Sequence, residues 1–320
     1  MPAWRKSLLA LLLAASVAAA ADPALLSHVP PDAKVFAGAN LSRFLASPFG
    51  KTVLDQAQSA QPQIQQFVQA AGFDPFRDMQ EFLVASAGTQ KQDQGLVLVK
   101  GVFDPARLGA LAQKSGAALT TYGGVQVLTG KKPADAWFAF LDNATAAIGD
   151  AQSVKGVIDR RGSGGGPDAR LRARIDQLSS SYDFWVISAA PVADLAGSAM
   201  QGDVLKAVVE IGGGIKFGAD LLISIEAVNR TDKDAAALAD VVRFFVGMAQ
   251  MSAQKDPKAA NSLQFLQRLQ LTAEGNVTRM SLSIPGAELE KLIQKAQAAV
   301  PKGGLTIQSS PKDMGTVVVK

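Results

Sequence analysis

Short apolar runs with strand periodicity alternate along this chain with longer segments whose apolar residues return every three or four positions. The clearest case is Gly95 to Ser115, GLVLVKGVFDPARLGALAQKS. An apolar run meets Asp104-Pro105, and Leu108, Leu111 and Ala112 follow at helical spacing. The pattern predicts a buried strand passing directly into a helix whose first turn is capped by aspartate and pre-shaped by proline. An echo occurs in the second half as LLISIEAVNRTDKDAAALADVVRFFVG, Leu221 to Gly247, with Thr231 and Asp234 in the capping positions. Its strand alternates Leu221, Ile223, Ile225 and Ala227 against Leu222, Ser224, Glu226 and Val228. Its helix carries Leu238, Val241, Val242, Phe245 and Met248 as the expected inward stripe. Read as a duplication, the two stretches give Val97 and Val99 the same central-strand role as Ile223 and Ile225.

The remaining elements repeat one order. Lys34 to Asn40 reads as a strand, followed by a short helix from Leu41 and a longer one from Pro48 that Pro62 interrupts and Gly72 ends. Asp74-Pro75 opens a turn before the strand at Glu81 to Ala87. Beyond the organising strand and helix come Ala118 to Tyr122, Val125 to Thr129, Trp137 to Leu141 and Ala146 to Ile148. Turn residues such as Gly123-Gly124 and Lys131 to Pro133 separate them, as in an antiparallel meander. A helix capped by Asp150 follows. In the second half, Phe184 to Ala189, a helix over Pro191 to Ala196, and the strand Val208 to Phe217 precede the echo. Leu269 to Glu274 and Thr278 to Ile284 join at Gly275-Asn276, and a helix carries Leu289, Leu292, Ile293 and Ala296. Thr316 to Val319 is a candidate edge strand. The expected fold is α+β, with two similar halves, each an antiparallel or mixed sheet with helices on one face. The expected boundaries are a signal peptide over 1–21, a first repeat over 22–161, a glycine-rich mobile linker over 162–168, a second repeat over 169–300 and a C-terminal tail over 301–320.

Composition narrows the compartment. Arg5 and Lys6, the apolar segment Leu8 to Val17 and the run Ala18 to Ala21 have the three-part form of a secretory signal, with cleavage expected before Ala21 or Asp22. The uncharged run Ser7 to Ala21 falls short of the ~18 to 20 residues that cross a bilayer, so no membrane span is expected in the mature chain. Setting Arg5 and Lys6 aside leaves 30 basic against 28 acidic residues, a balance that gives no reason to expect nucleic acid as a partner. The 320 residues contain no cysteine, which removes disulfides, thiolate chemistry and thiol lipidation, and suits a bacterial periplasm or exterior. Four Asn-X-Ser/Thr sites occur at Asn40, Asn143, Asn229 and Asn276 and read as chance matches, two of them lying beside apolar strands. Pro30 to Ala33 (PPDA), Ser47 to Lys51 (SPFGK), Gly72 to Pro75 (GFDP) and Lys100 to Pro105 (KGVFDP) resemble the turns and caps of a group of exported bacterial proteins known as a family of unknown function. The resemblance implies export and an α+β fold, and it carries over no catalytic residue.

No candidate chemistry outweighs its structural alternative. Gly50-Lys51-Thr52 lacks the upstream glycine of a phosphate-binding loop, since Leu45 stands there. His28 is the sole histidine and falls in a segment expected to be a mobile arm, which excludes histidine triads and multi-histidine metal sites. Asp232 and Asp234 begin like a calcium loop, but Ala237 and Arg243 occupy the glycine and glutamate positions. Trp137, Phe138, Phe140, Phe184 and Trp185 sit in strands apolar on both faces, where aromatics form core. No catalytic, cofactor-binding or metal-ligating residue is therefore picked out, and no cofactor is expected. The one local basic excess, Arg160, Arg161, Arg170, Arg172 and Arg174, offers weak contact with an anionic surface. The expectation is an exported, non-enzymatic binding or interaction protein of the bacterial envelope. An envelope hydrolase using Ser/Lys or carboxylates, and a carrier of an apolar ligand, are the alternatives.

Overall fold

A computed structural model of the chain describes residues 20–60, 62–88, 95–130, 135–190, 203–255 and 260–299. Its first half holds α1 (Pro23–Ser27), β1 (Val35–Asn40), α2 (Leu41–Ala46), α3 (Pro48–Ala60), α4 (Pro62–Ala71), α5 (Pro75–Asp78), β2 (Met79–Ser86) and β3 (Gly95–Gly101). It continues with α6 (Pro105–Lys114), β4 (Ala118–Tyr122), β5 (Val125–Thr129), β6 (Trp137–Phe140), β7 (Thr145–Gly149) and α7 (Ala151–Asp159). The second half holds α8 (Ala169–Ser181), β8 (Phe184–Ser188), α9 (Asp203–Lys206), β9 (Val208–Phe217) and β10 (Asp220–Asn229). It ends with α10 (Asp232–Lys255), α11 (Ala260–Arg268), β11 (Gln270–Glu274), β12 (Val277–Pro285) and α12 (Gly286–Ala299). The architecture is α+β. The elements expected at Lys131 to Pro133, Pro191 to Ala196 and Thr316 to Val319 lie outside the described residues.

The local signals act as the sequence requires. Asp104 accepts from the Arg107 amide at 3.0 Å and Asp74 from the Phe76 amide at 3.0 Å, so each Asp-Pro pair starts a helix. Thr231 Oγ1 accepts from the Asp234 amide at 3.1 Å and donates back to its carboxylate at 2.8 Å, which starts α10. Gly72, at φ 65°, ends α4 in the left-handed conformation that a side chain resists.

Long-range pairing then joins the halves. The strands form one antiparallel sheet of 12 in the order β11-β12-β10-β9-β8-β1-β2-β3-β7-β6-β5-β4. At its centre β1 pairs with β8 from Val35↔Ser188 to Ala39↔Phe184. Outward from that pair run β2, β3, β7 and β6 on one side and β9, β10, β12 and β11 on the other. The strand order on the two sides of this pair matches once β4 and β5 are set aside. Gly38 lies opposite Trp185 because only hydrogen fits there: a Cβ would stand 2.5 Å from the indole Cζ2. Gly38→Val should therefore cost about 1 to 3 kcal/mol through overpacking. An unchanged urea midpoint would contradict that approach.

Pleating sends alternate residues to opposite faces. On the first face Leu96, Leu98, Leu83, Phe36, Trp185 and Ile187 join Leu25, Leu26 and Val29, Val154 and Val157 of α7, and Leu171 and Ile175 of α8 in the main core. On the second face Val99, Phe140 and Ala146 cluster with Phe103, Phe73 and Leu108 of α6. Helices thus cover both faces of the first half, not the single face expected. The segment around His28 is likewise no mobile arm, since Leu25, Leu26 and Val29 are fully buried. The glycine-rich stretch expected as a linker is exposed from Gly162 to Gly164, but its second part is packed against the chain. The Gly166 amide donates to Val29 O at 3.1 Å, Pro167 is buried, and a Cβ on Gly165 would meet the Ser27 carbonyl at 2.7 Å. Those glycines allow a close backbone approach.

Candidate apolar binding surface

Strand register carries an apolar row across the second face: Ile148, Val97, Val84, Ala37, Val186, Gly213, Ile225, Met280 and Leu271 are successive partners. Val186 and Ile225 in this row are 45% and 43% exposed. Ile225 is therefore not the core residue that its alternation suggested, whereas Val99 is buried. The neighbouring rows are covered. Ala227, with Ile211, packs under Leu238 and Val242 of α10 and under Val204 and Leu205 of α9. Beyond the row on its other side, Phe184 and Phe217 meet Phe44 of α2, and Phe49 of α3 stacks on Phe217 at 4.8 Å between ring centroids. The open strip thus runs between two covered flanks.

Beside it stands α10. Leu238, Ala235 and Ala239 are buried, as a core stripe requires. The expected stripe fails beyond that point: Val241, Phe245 and Met248 are 37%, 59% and 47% exposed, and Phe244 and Met251 are 63% and 59% exposed. At 100° per residue, Val241, Phe244, Phe245, Met248 and Met251 fall within one arc about 120° wide, separate from the arc packed on the sheet. Among the described residues, the charged pair between Thr231's cap and Gln254 is Asp240 with Arg243, bonded at 2.7 Å, on the band that remains between the two arcs. Asp232–Gln254 is long and apolar enough to cross a membrane by length and composition, and only 17% of its most apolar stretch is buried. Periodicity alone could not separate these two apolar arcs, because both follow helical spacing.

Two cavities lie among the described residues. One of about 210 Å³ lies among Phe49, Phe217, Leu221, Leu289 and Ile293. Another of about 480 Å³ is lined by Gln264, Arg268, Glu288, Lys291 and Leu292, with Arg268 paired to Glu288.

The first face of the second half is polar. Glu210 accepts from Arg170 at 3.2 Å and from Arg174 at 3.0 Å, while Glu226 accepts from Arg174 and, at 2.9 Å, from Arg279. Two of the five arginines singled out for an anionic surface, Arg170 and Arg174, are thereby engaged within the chain. Arg160 reaches the His28 carbonyl at 3.3 Å, Arg161 is exposed, and Arg172 lies near Gly166. Burial lowers the His28 pKa from its ordinary value. Phe140 and Trp185 are buried, and Lys155 sits 5.0 Å above the Trp137 ring, so these aromatics form no shared platform. Asn229 is buried and donates to Ala227 O, Asn276 O and Thr278 Oγ1, which leaves it no room for a glycan.

No family model matches the chain, and no curated protein matches it by sequence. The chain is similar in structure to three crystal forms of TP0453. Form III has a TM-score of 0.49 at 10% identity, covering 84% of this chain and 97% of that one. Form I has 0.49 at 9%, covering 87% and 99%. Form IV has 0.51 at 10%, covering 86% and 97%, which shows a shared fold.

Proposed function

We propose that this is an exported protein of the bacterial envelope that works by binding, and that its binding surface is the exposed apolar arc of α10 together with the Val186–Ile225 strip. The partner this surface fits is the acyl region of a lipid bilayer, met by a helix lying in its interface. The observation that carries the reading is the exposure of Phe244, Phe245, Met248 and Met251 on one arc of a helix that is otherwise anchored to the sheet. Large contiguous apolar patches on a protein surface mark partner or membrane contact. Each phenylalanine fully removed from water is worth roughly 1.5 to 3 kcal/mol, so two or three such side chains suffice for reversible docking. Because α10 also packs on β10, β11 and β12, the helix docks as part of the folded body and does not span.

Carriage of a single apolar ligand is the second reading, favoured by the phenylalanine-lined cleft. Its volume of about 210 Å³ is below the ~300 Å³ at which ligand pockets usually begin. The bilayer reading therefore comes first. Export rests on the basic, apolar and small-residue order of the N-terminus, and membership of the exported family on its turn motifs. In a flotation assay the mature chain should rise with phosphatidylglycerol-containing vesicles. The double variant Phe244→Ser, Phe245→Ser should stay at the bottom at least tenfold more, with an unchanged melting temperature. Equal flotation of the two proteins, or none by either, would refute the reading.

A further inference from the structure

The start of the described chain is buried in an unusual way for a segment following a leader. Ala21 is 1% exposed within the main core, and its nitrogen donates to Ser179 Oγ at 2.7 Å. Ser179 spends its own hydroxyl proton on the Ile175 carbonyl at 2.7 Å, so its lone pairs face Ala21. One peptide unit further, the Asp22 amide donates to Glu81 Oε1 at 3.2 Å, and Glu81 is 8% exposed. The Asp22 carboxylate caps α1 and pairs with Lys100. Arg43 of α2 comes close to Glu81, pairs with Asp183, and donates to the carbonyls of Ser179 and Tyr182 at the end of α8. Around this point Asp22 is paired with Lys100 and Asp183 with Arg43, while Glu81 has the Asp22 amide and, among the described residues, no ion pair of its own.

We infer that leader removal supplies one: cleavage between Ala20 and Ala21 creates an α-ammonium that docks on Ser179 at the C-terminal end of α8, as counter-ion to Glu81. Hydrolysis adds one water across the peptide bond, leaving a carboxyl on Ala20 and an amine on Ala21 that takes up a proton. A cation there also meets the negative end of the α8 dipole, in its last turn. A start at Ala21 keeps the core position that its methyl fills, whereas a start at Asp22 would empty it. Processing thus completes the fold, and the uncleaved chain carries an uncompensated buried carboxylate.

The sign of the effect follows from Glu81. Burial, with the nearby Asp22 charge, pushes its carboxyl up to about 7, against the lowering influence of the Asp22 amide, Lys100 and Arg43. Without the ammonium, stability from this group is present below the ordinary value of 4.5 and is lost as pH rises toward about 7. With the ammonium in place that loss shrinks, until the amine itself deprotonates above about pH 8.

The inference rests on the export reading, and two measurements separate their failures. Intact mass of the exported protein should give a start at Ala21. Retention of Arg5 would overturn export, and a start at Asp22 would overturn the assigned bond. The chain beginning at Ala21 is then compared with one carrying a Gly-Ser extension before Ala21. The extended chain should melt lower by roughly 3 °C or more at neutral pH, with the gap closing near pH 4.5. Glu81→Gln should erase the difference between the two. Equal melting of both chains at neutral pH, or a gap that survives Glu81→Gln, would refute the lock while leaving export standing.

Discussion

Leu98→Asp should leave no cooperatively folded protein at room temperature, whereas Ile225→Asp should shift stability by under about 1 kcal/mol. The two positions belong to β3 and β10, the pair of strands that the sequence echo equates. Leu98 is fully enclosed, between Leu83 on β2 and Ala147 on β7. An unpaired carboxylate there loses its hydration with nothing to replace it, at a cost of several kcal/mol, and a domain's whole stability is of order 5 to 15 kcal/mol. At Ile225 the carboxylate would remain in water. Circular dichroism with urea titration checks both, and similar destabilisation of the two variants would contradict the open strip on the second face.

Arg174→Leu should be the next most damaging change described here, costing about 3 kcal/mol at neutral pH. The guanidinium is shared by Glu210 and Glu226, whose side chains are 5% and 11% exposed. Removing it leaves Glu210 to the exposed Arg170 and Glu226 to Arg279, so neither carboxylate is fully abandoned and the cost stays at the lower end for a broken buried pair. Burial pushes the Glu226 carboxyl up, but the hydrogen bonds and charges of Arg174 and Arg279 outweigh it and hold the group below 4.5. A depressed carboxylate contributes stability above its unfolded value that is lost as pH falls through the folded one. The gap between wild type and variant should therefore be full at pH 7 and narrow below about 4.5. A gap that stayed the same in acid would show that Arg174 acts through its packing alone.

Local chemistry made much of this fold readable. Asp74-Pro75, Asp104-Pro105, Asp150 and Thr231 to Asp234 fixed helix starts, and the runs around Gly123-Gly124 and Gly275-Asn276 fixed hairpins, because each signal acts within a few residues. The pairing of β1 with β8 left no such signal. It joins strands far apart in the chain, and apolar strands read alike whether the neighbour is in the same half or the other. Gly162 to Pro167 read as a flexible linker by composition, although Gly165 and Gly166 are there to let the backbone pass Ser27 to Val29. His28 sits beside Leu26 and Val29, two of the most deeply buried residues, and only tertiary packing reveals it. The proposed binding surface was half legible. Phe245 and Met248 were visible as part of an apolar stripe, but the side of α10 that meets the sheet is chosen by Leu238 and Ala239, which share the same periodicity.

The central claim is that the exposed arc of α10 enters the acyl region of a bilayer. A chain without cysteine allows a single reporter to be placed at will, so the decisive measurement is environment-sensitive fluorescence from a dye on Met248→Cys, with Ser283→Cys as its counterpart on the opposite face of the sheet. On adding phosphatidylglycerol-containing vesicles, emission from position 248 should shift to the blue and be quenched by a quencher attached to the lipid acyl chain, while emission from position 283 stays unchanged. Unchanged emission at position 248, or equal shifts at both positions, would contradict the account.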